Sequence, residues 1–366
     1  MKLRALAATG LLALTVHALA SEKALPRKQI RYRMGTVCEI TAYPVSGDVE
    51  RTDSAIAEAF AELTRIEHAL SNWKPDSELM RLNRAASTAG RERPWVAVGE
   101  ELFERLVVAL RIAEATDGRF DPTVGPLVRA FGFLPRQGAG EPQIEEARRR
   151  VGWRKVRLNA AGRRVQFAEP GMEVDLGGIA KGYAAQRAAE VLRQHGVRDA
   201  LVNLGGSSIV AVGSPRRGEG ECDHDCSDGW PILVRDPHDG RSPVAFIELR
   251  DGEALATSGT YEKTQGPRSH ILDPRTGRAL TGKRSVTVLL RDAEVADALA
   301  KPFLLLGKLD GSEPVQLWHS YPAASVMLLA AREGASTHRS AGPEADRFLF
   351  FSVSHEKQDQ RAAQAH

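Results

Sequence analysis

The sequence predicts an α+β protein, with a mixed or antiparallel sheet core and flanking helices. Three observations lead there. Short apolar runs recur near Ala200–Val202, Ile209–Val212, Ile232–Val234, Val244–Leu249, Ala254–Ala256, Ser285–Leu290 and Val326–Leu329, each of strand length. A hairpin stands out where Val156–Leu158 and Val165–Phe167 flank a turn at Asn159–Gly162. Helical patterns separate the later runs only at Ile179–His195 and near Val295–Leu306, too seldom for the regular strand–helix alternation of a doubly wound parallel sheet.

Taken in order, Arg31 to Tyr43 reads as a strand, because Thr36, Cys38 and Ile40 alternate with Val37, Glu39 and Thr41. A helix follows from Asp53, with Ile56, Phe60, Leu63, Ile66 and Leu70 recurring at three and four and ending before Ser71-Asn72. A second helix covers Gly99 to Thr116, with Leu102, Leu106, Val107 and Leu110 on its apolar stripe and Asp117-Gly118 as its stop. The segment Arg119 to Pro135 is rich in Gly and Pro yet apolar, which is unusual for a linker. Gln143 to Val151 reads as a short helix, and the residues after Ser352 as a frayed polar tail. No internal repeat is visible.

The chain has 366 residues, and 50 Lys+Arg against 47 Asp+Glu leave a formal charge of +3. With 42% hydrophobic and 27% charged residues it can build a sizeable core, which excludes a disordered or fibrous chain. Length alone sets a soft expectation of two or three domains. The basic residues around the hairpin, among them Arg154, Arg157, Arg163 and Arg164, lack the interleaved aromatics that stack bases. No nucleic-acid partner is expected.

Residues 1–20 read as a cleaved signal peptide: Lys2 and Arg4, an apolar stretch from Ala5 to Val16, then Ala18-Leu19-Ala20. The stretch is shorter than the roughly 20 residues that span a bilayer, so the mature chain is expected in a periplasm without a membrane span. Cys38 alternates with apolar neighbours and reads as buried. Cys222-Asp223-His224-Asp225-Cys226 could hold a soft metal, close a local disulfide, or carry two idle thiols on a surface loop.

The most informative stretch for chemistry is Val174-Asp175-Leu176-Gly177-Gly178-Ile179-Ala180-Lys181-Gly182-Tyr183. It reads as a strand ending at Asp175, a tight turn at the two glycines, and a helix start. Such a turn lets an anion approach backbone N–H groups, and Lys181 adds a point charge. Neither familiar nucleotide fingerprint is present, so alone this is a weak phosphate signal.

In the company of other blocks it is more specific. These are Met34-Gly35-Thr36; Ser71-Asn72-Trp73-Lys74-Pro75-Asp76-Ser77-Glu78-Leu79; Gly118-Arg119-Phe120-Asp121-Pro122-Thr123-Val124-Gly125-Pro126-Leu127; and Asn203-Leu204-Gly205-Gly206. Then come Ala256-Thr257-Ser258-Gly259-Thr260-Tyr261-Glu262, Ser269-His270-Ile271-Leu272-Asp273-Pro274 and Ala296-Asp297-Ala298-Leu299-Ala300. The chain resembles the ApbE family, the FAD:protein FMN transferases, from about residue 34 to residue 307.

The resemblance implies one two-lobed domain over 28–350, with 351–366 as a tail. It also implies FAD as substrate, Mg²⁺ as metal, and transfer of FMN to a Thr or Ser hydroxyl of a partner protein with release of AMP. Membrane redox subunits are typical acceptors. By carry-over, Met34, Ser71, Trp73, Asp121, Pro122, Thr123, Asp175, Lys181, Ser258 and Thr260 would line the FAD. Asp297 and the backbone carbonyl of Gly178 would hold Mg²⁺. His270 reads as the base that takes the acceptor's proton or as a direct flavin contact, against a structural His bonded to Asp273.

Two departures stand out. Where the commoner family pattern has Thr four residues after Asp297, this chain has Lys301 and then Pro302. An ammonium has no lone pair for a metal, and at i and i+4 it can pair with Asp297. Pro302 should kink or restart the helix. Ser207-Ser208 also stands where an acidic or amide residue is common. The alternative is therefore an FAD-binding relative without transferase activity, or an FAD pyrophosphatase.

Overall fold

The run that reads as one strand from Arg31 to Tyr43 folds as a hairpin of β1 (Arg27–Arg33) and β2 (Thr36–Ala42). Its two-residue turn is Met34-Gly35, with φ of 52° and 72°. Positive φ at both central positions is the turn whose twist matches antiparallel strands. In this computed structural model the described residues are 25–87, 93–134, 141–215, 229–262, 264–265, 268–332 and 335–351. The expected signal peptide, the Cys222–Cys226 loop and the tail from 352 lie outside them.

Six more strands extend the hairpin: β3 (Ala200–Leu204), β4 (Ser208–Val212), β5 (Ala254–Gly259), β6 (Arg284–Leu290), β7 (Ser325–Arg332) and β8 (Ala335–Ala341). Every neighbouring pair is antiparallel, and spatial order follows chain order. Register is set by pairs such as Cys38 with Leu204, Ala254 with Val210 and Ser258 with Val286.

Among the described residues there are eight α-helices: α1 (Val49–Leu70), α2 (Glu78–Ala86), α3 (Glu100–Ala115), α4 (Gly125–Ala130), α5 (Glu141–Arg149), α6 (Ala180–Gln194), α7 (Ala293–Leu306) and α8 (Ser312–Ser320). The predicted helices and the sheet-rich core are thus present. None of these helices is long and apolar enough to cross a membrane. Side-chain caps set several starts: Asp48 accepts from the Arg51 amide, Ser77 from Met80 and Asp292 from Val295.

Helices α1, α6 and α7 cover one face of the sheet, burying Ile56, Phe60, Leu63, Ala188 and Leu192 against Cys38, Ile40, Val202 and Val210. The other face carries a second sheet of Trp230–Arg235, Pro243–Leu249 and Leu349–Phe350. Ile209, Leu255, Leu289 and Met327 pack there against Ile232 and Ile247. Because both faces of the central strands are buried, their sequences read as continuous apolar runs.

Several elements differ from expectation. Within the segment that begins at Arg119, Asp121 caps a 3₁₀ turn at Pro122–Val124, and α4 (Gly125–Ala130) follows directly. Val174-Asp175 is not a strand. The Val174 amide donates to Asn83 Oδ1 at 2.8 Å, its carbonyl accepts from Asn72 and Asn83, and the Asp175 amide donates to the Pro122 carbonyl. Side chains satisfy this extended backbone in place of a ladder. Pro302 does not break α7, which runs on to Leu306 and stops at Gly307, φ 62°.

Glu294, in the first turn of α7, gives the fold a pH dependence. It is buried against Arg105 of α3, yet burial outweighs that partner and pushes its carboxyl up to about 7. A proton held more tightly in the folded state stabilises fully below the unfolded carboxyl value, and that contribution fades as pH rises through about 7. Glu294→Gln should flatten the decline between pH 5 and 8 by about 2 kcal/mol in denaturant titrations. Identical slopes for parent and variant would remove Glu294 as the cause.

Candidate active site

A cavity of about 710 Å³ opens where the β1–β2 turn, the start of α6, the face of α7, the end of β5 and the residues around His270 converge. Its walls include Met34, Trp73, Asp121, Asp175, Gly178, Lys181, Ser258, His270 and Asp297. These expected residues, far apart in sequence, are brought together. Ser71, Pro122, Thr123 and Thr260 are not on the wall, and each has a visible structural task.

Ser71 Oγ accepts from the amides of Trp73 (3.0 Å) and Lys74 (3.3 Å), shaping the turn that leaves Trp73 60% exposed at the cavity mouth. Met34 is fixed by its amide, which donates to Glu67 Oε1 at 2.9 Å. Thr123 donates through Oγ1 to Asp121 Oδ1 (2.6 Å) and accepts from the Gly152 amide (2.7 Å). Asp121 Oδ2 accepts from the Trp153 amide. Pro122 is buried beside them. Thr260 Oγ1 donates to the Gly282 carbonyl at 2.6 Å and holds the end of β5 to β6.

Asp175 does not cap α6. Its Oδ1 accepts from the Gly177 amide at 2.6 Å, which curls the backbone into the Gly177-Gly178 turn. Burial pushes the carboxyls of Asp175 and Asp121 up. Lys181 Nζ reaches the Gly177 carbonyl at 3.3 Å, so its charge lies over the same turn.

His270 lines the opposite wall, with its ring edge-on to Phe133 at 6.3 Å and 71°. The Ser269 amide donates to the Leu280 carbonyl and the Leu280 amide to the Ile271 carbonyl, so His270 stands between two anchored neighbours. Arg119, Phe120, Phe133 and Glu262 also line the cavity beyond the expected site residues, as does Ser207 from the Ser207-Ser208 departure. Arg119 is held by Glu313 of α8. Nothing local in the sequence marks it, because its partner lies far along the chain.

The oxygens expected to hold Mg²⁺ are close together, but another cation is bonded to them. Lys301 Nζ donates to the Gly178 carbonyl (2.8 Å), the Asp297 carbonyl (2.6 Å) and Asp297 Oδ1. Asp297 Oδ2 accepts from the Gly182 amide at 3.0 Å. Among the described residues no group of three or more His, Cys, Asp or Glu side chains could hold a metal ion. With Lys301 seated so, the residues present do not fit Mg²⁺ at Gly178 and Asp297.

Comparison with known proteins places this cavity in context. The ApbE family profile matches residues 34–323. The chain is 34% identical to an FAD:protein FMN transferase of Klebsiella pneumoniae (strain 342) over 318 residues, covering 84% of this chain and 85% of that protein. It is 35% identical to the FAD:protein FMN transferase of Treponema pallidum (strain Nichols), over 75% of this chain and 77% of that one. The solved flavin transferase ApbE from Vibrio cholerae superposes with a TM-score of 0.73 at 26% identity, covering 88% of this chain and all of that one. An ApbE protein from Thermotoga maritima gives 0.70 at 29%, over 85% and 96%. The profile match over residues 34–323 and the 34% identity across most of the Klebsiella protein show that the chain belongs to the ApbE family.

Proposed function

We propose that this chain is an exported FAD:protein FMN transferase that works in the periplasm. It takes FAD, forms a phosphoester between FMN and a Thr or Ser hydroxyl of an acceptor protein, and releases AMP. The acceptor we favour is a membrane redox subunit. Export rests on the pattern of residues 1–20.

One observation carries the reading: a single cavity combines an aromatic mouth, a glycine turn beneath cationic side chains, and a histidine. Trp73 offers a flat aromatic face and Met34 a polarizable thioether to a ring system. Gly177-Gly178 with Lys181 and Arg119 offers backbone and charge to a pyrophosphate. His270 takes the proton of the acceptor hydroxyl as its oxygen bonds to the FMN phosphorus. The bond from that phosphorus to the bridging oxygen breaks, and the oxygen leaves with AMP. No step is assigned to Mg²⁺, because Lys301 is bonded to the oxygens expected to hold it.

The same ammonium favours a second reading, in which water replaces the acceptor and FAD is cleaved to FMN and AMP. One assay separates them. The purified chain is incubated with FAD and an acceptor subunit, then resolved by denaturing electrophoresis and by nucleotide chromatography. Flavin fluorescence that stays with the acceptor band, with one AMP per label, is the expected result. Free FMN and AMP without a labelled band would select hydrolysis, and intact FAD would overturn both.

A further inference from the structure

Lys301 presents three N–H donors, and three oxygens receive them: the Gly178 carbonyl, the Asp297 carbonyl and Asp297 Oδ1. The side chain is only 18% exposed, and that of Asp297 2%. Mg²⁺ binds oxygens at about 2.1 Å and keeps a near-octahedral shell. An ion seated on Gly178 and Asp297 would therefore overlap the Lys301 ammonium and repel it. Displacing the ammonium would leave it buried away from its three acceptors, a costly state for a charge. Its stem also packs along Gly178, where a Cβ would meet Lys301 Cε at 3.5 Å.

We propose that Lys301 is the resident cation of this site, fixed to Gly178 and Asp297 in place of a divalent metal, so that the chain binds FAD and transfers FMN without one. This rests on the flavin-transferase reading above. Lys301 acts as a positioning residue: it neutralises Asp297 and ties α7 to the glycine turn of α6. The charge facing a pyrophosphate then comes from Lys181 and Arg119, which line the same cavity.

The test measures metal binding directly as well as activity. Mn²⁺ binding is followed by electron paramagnetic resonance on the full chain, alone and with FAD, and FAD affinity and FMN transfer are measured with and without excess EDTA. The parent should take up no stoichiometric Mn²⁺, and EDTA should change neither FAD affinity nor transfer by more than about twofold. Lys301→Thr should gain one Mn²⁺ site, lost again on adding Asp297→Asn, and its transfer should fall about tenfold or more in EDTA. One Mn²⁺ per parent chain, removed by Asp297→Asn, or transfer abolished by EDTA, would overturn the proposal. If Lys301→Thr does not fold, the parent measurements still decide. A chain that binds no FAD under any condition overturns the flavin reading instead, while its Mn²⁺ titration judges Lys301 separately.

Discussion

His270→Gln is expected to slow FMN transfer by about 10²- to 10⁴-fold, the usual contribution of a positioned general base. Gln keeps hydrogen-bonding capacity and much of the ring's volume but cannot accept a proton near neutrality. FAD affinity should change by no more than about threefold, since the residues proposed to hold the dinucleotide, Trp73, Met34, Gly177, Gly178, Lys181 and Arg119, are others of the same cavity. A variant that keeps the parent's rate at saturating FAD and acceptor would sink the proton-accepting role and leave His270 a structural neighbour of Phe133.

Much of this site was legible in sequence because its parts are local. Asp175, Gly177, Gly178 and Lys181 fall within seven residues, and a turn followed by a helix brings them to one wall by geometry that spacing encodes. The helices α1, α3, α6 and α7 likewise follow from their apolar stripes, whose period is a property of single segments.

The rest depended on partners distant in the chain. Met34-Gly35 turns the chain back on itself, but nothing about Met announces a positive φ, so two strands read as one. Helix α2 is only nine residues long, too short for its apolar stripe to stand out in sequence, and strand β8 (Ala335–Ala341) alternates only weakly. Val174 looks like a strand residue because its side chain is buried, yet Asn72 and Asn83 satisfy its backbone. The i, i+4 spacing of Asp297 and Lys301 predicted their pairing, whereas the third acceptor, Gly178, required the tertiary fold.

Gly182→Ala pits a local gain against a tertiary loss, and the magnitudes decide the outcome. Position 182 lies in the first turn of α6, where Ala is favoured over Gly by about 1 kcal/mol. A Cβ there, however, would stand 2.0 Å from the Ala293 carbonyl oxygen and 2.8 Å from Asp297 Cβ. The first obstacle is backbone, which cannot rotate away, so α6 and α7 must separate. Overpacking of this kind costs typically 1–3 kcal/mol and occasionally more. Here the oxygen overlap puts it at the upper end, for a net loss of about 2 kcal/mol in urea titrations. The separation also pulls the Gly182 amide from Asp297 Oδ2, a 3.0 Å bond, and draws Asp297 and Lys301 away from Gly178. FAD affinity should therefore fall even in the fraction that remains folded. Unchanged stability would mean that α7 yields at Ala293 without disturbing Asp297, whereas lost stability with intact FAD affinity would uncouple the helix contact from the cavity.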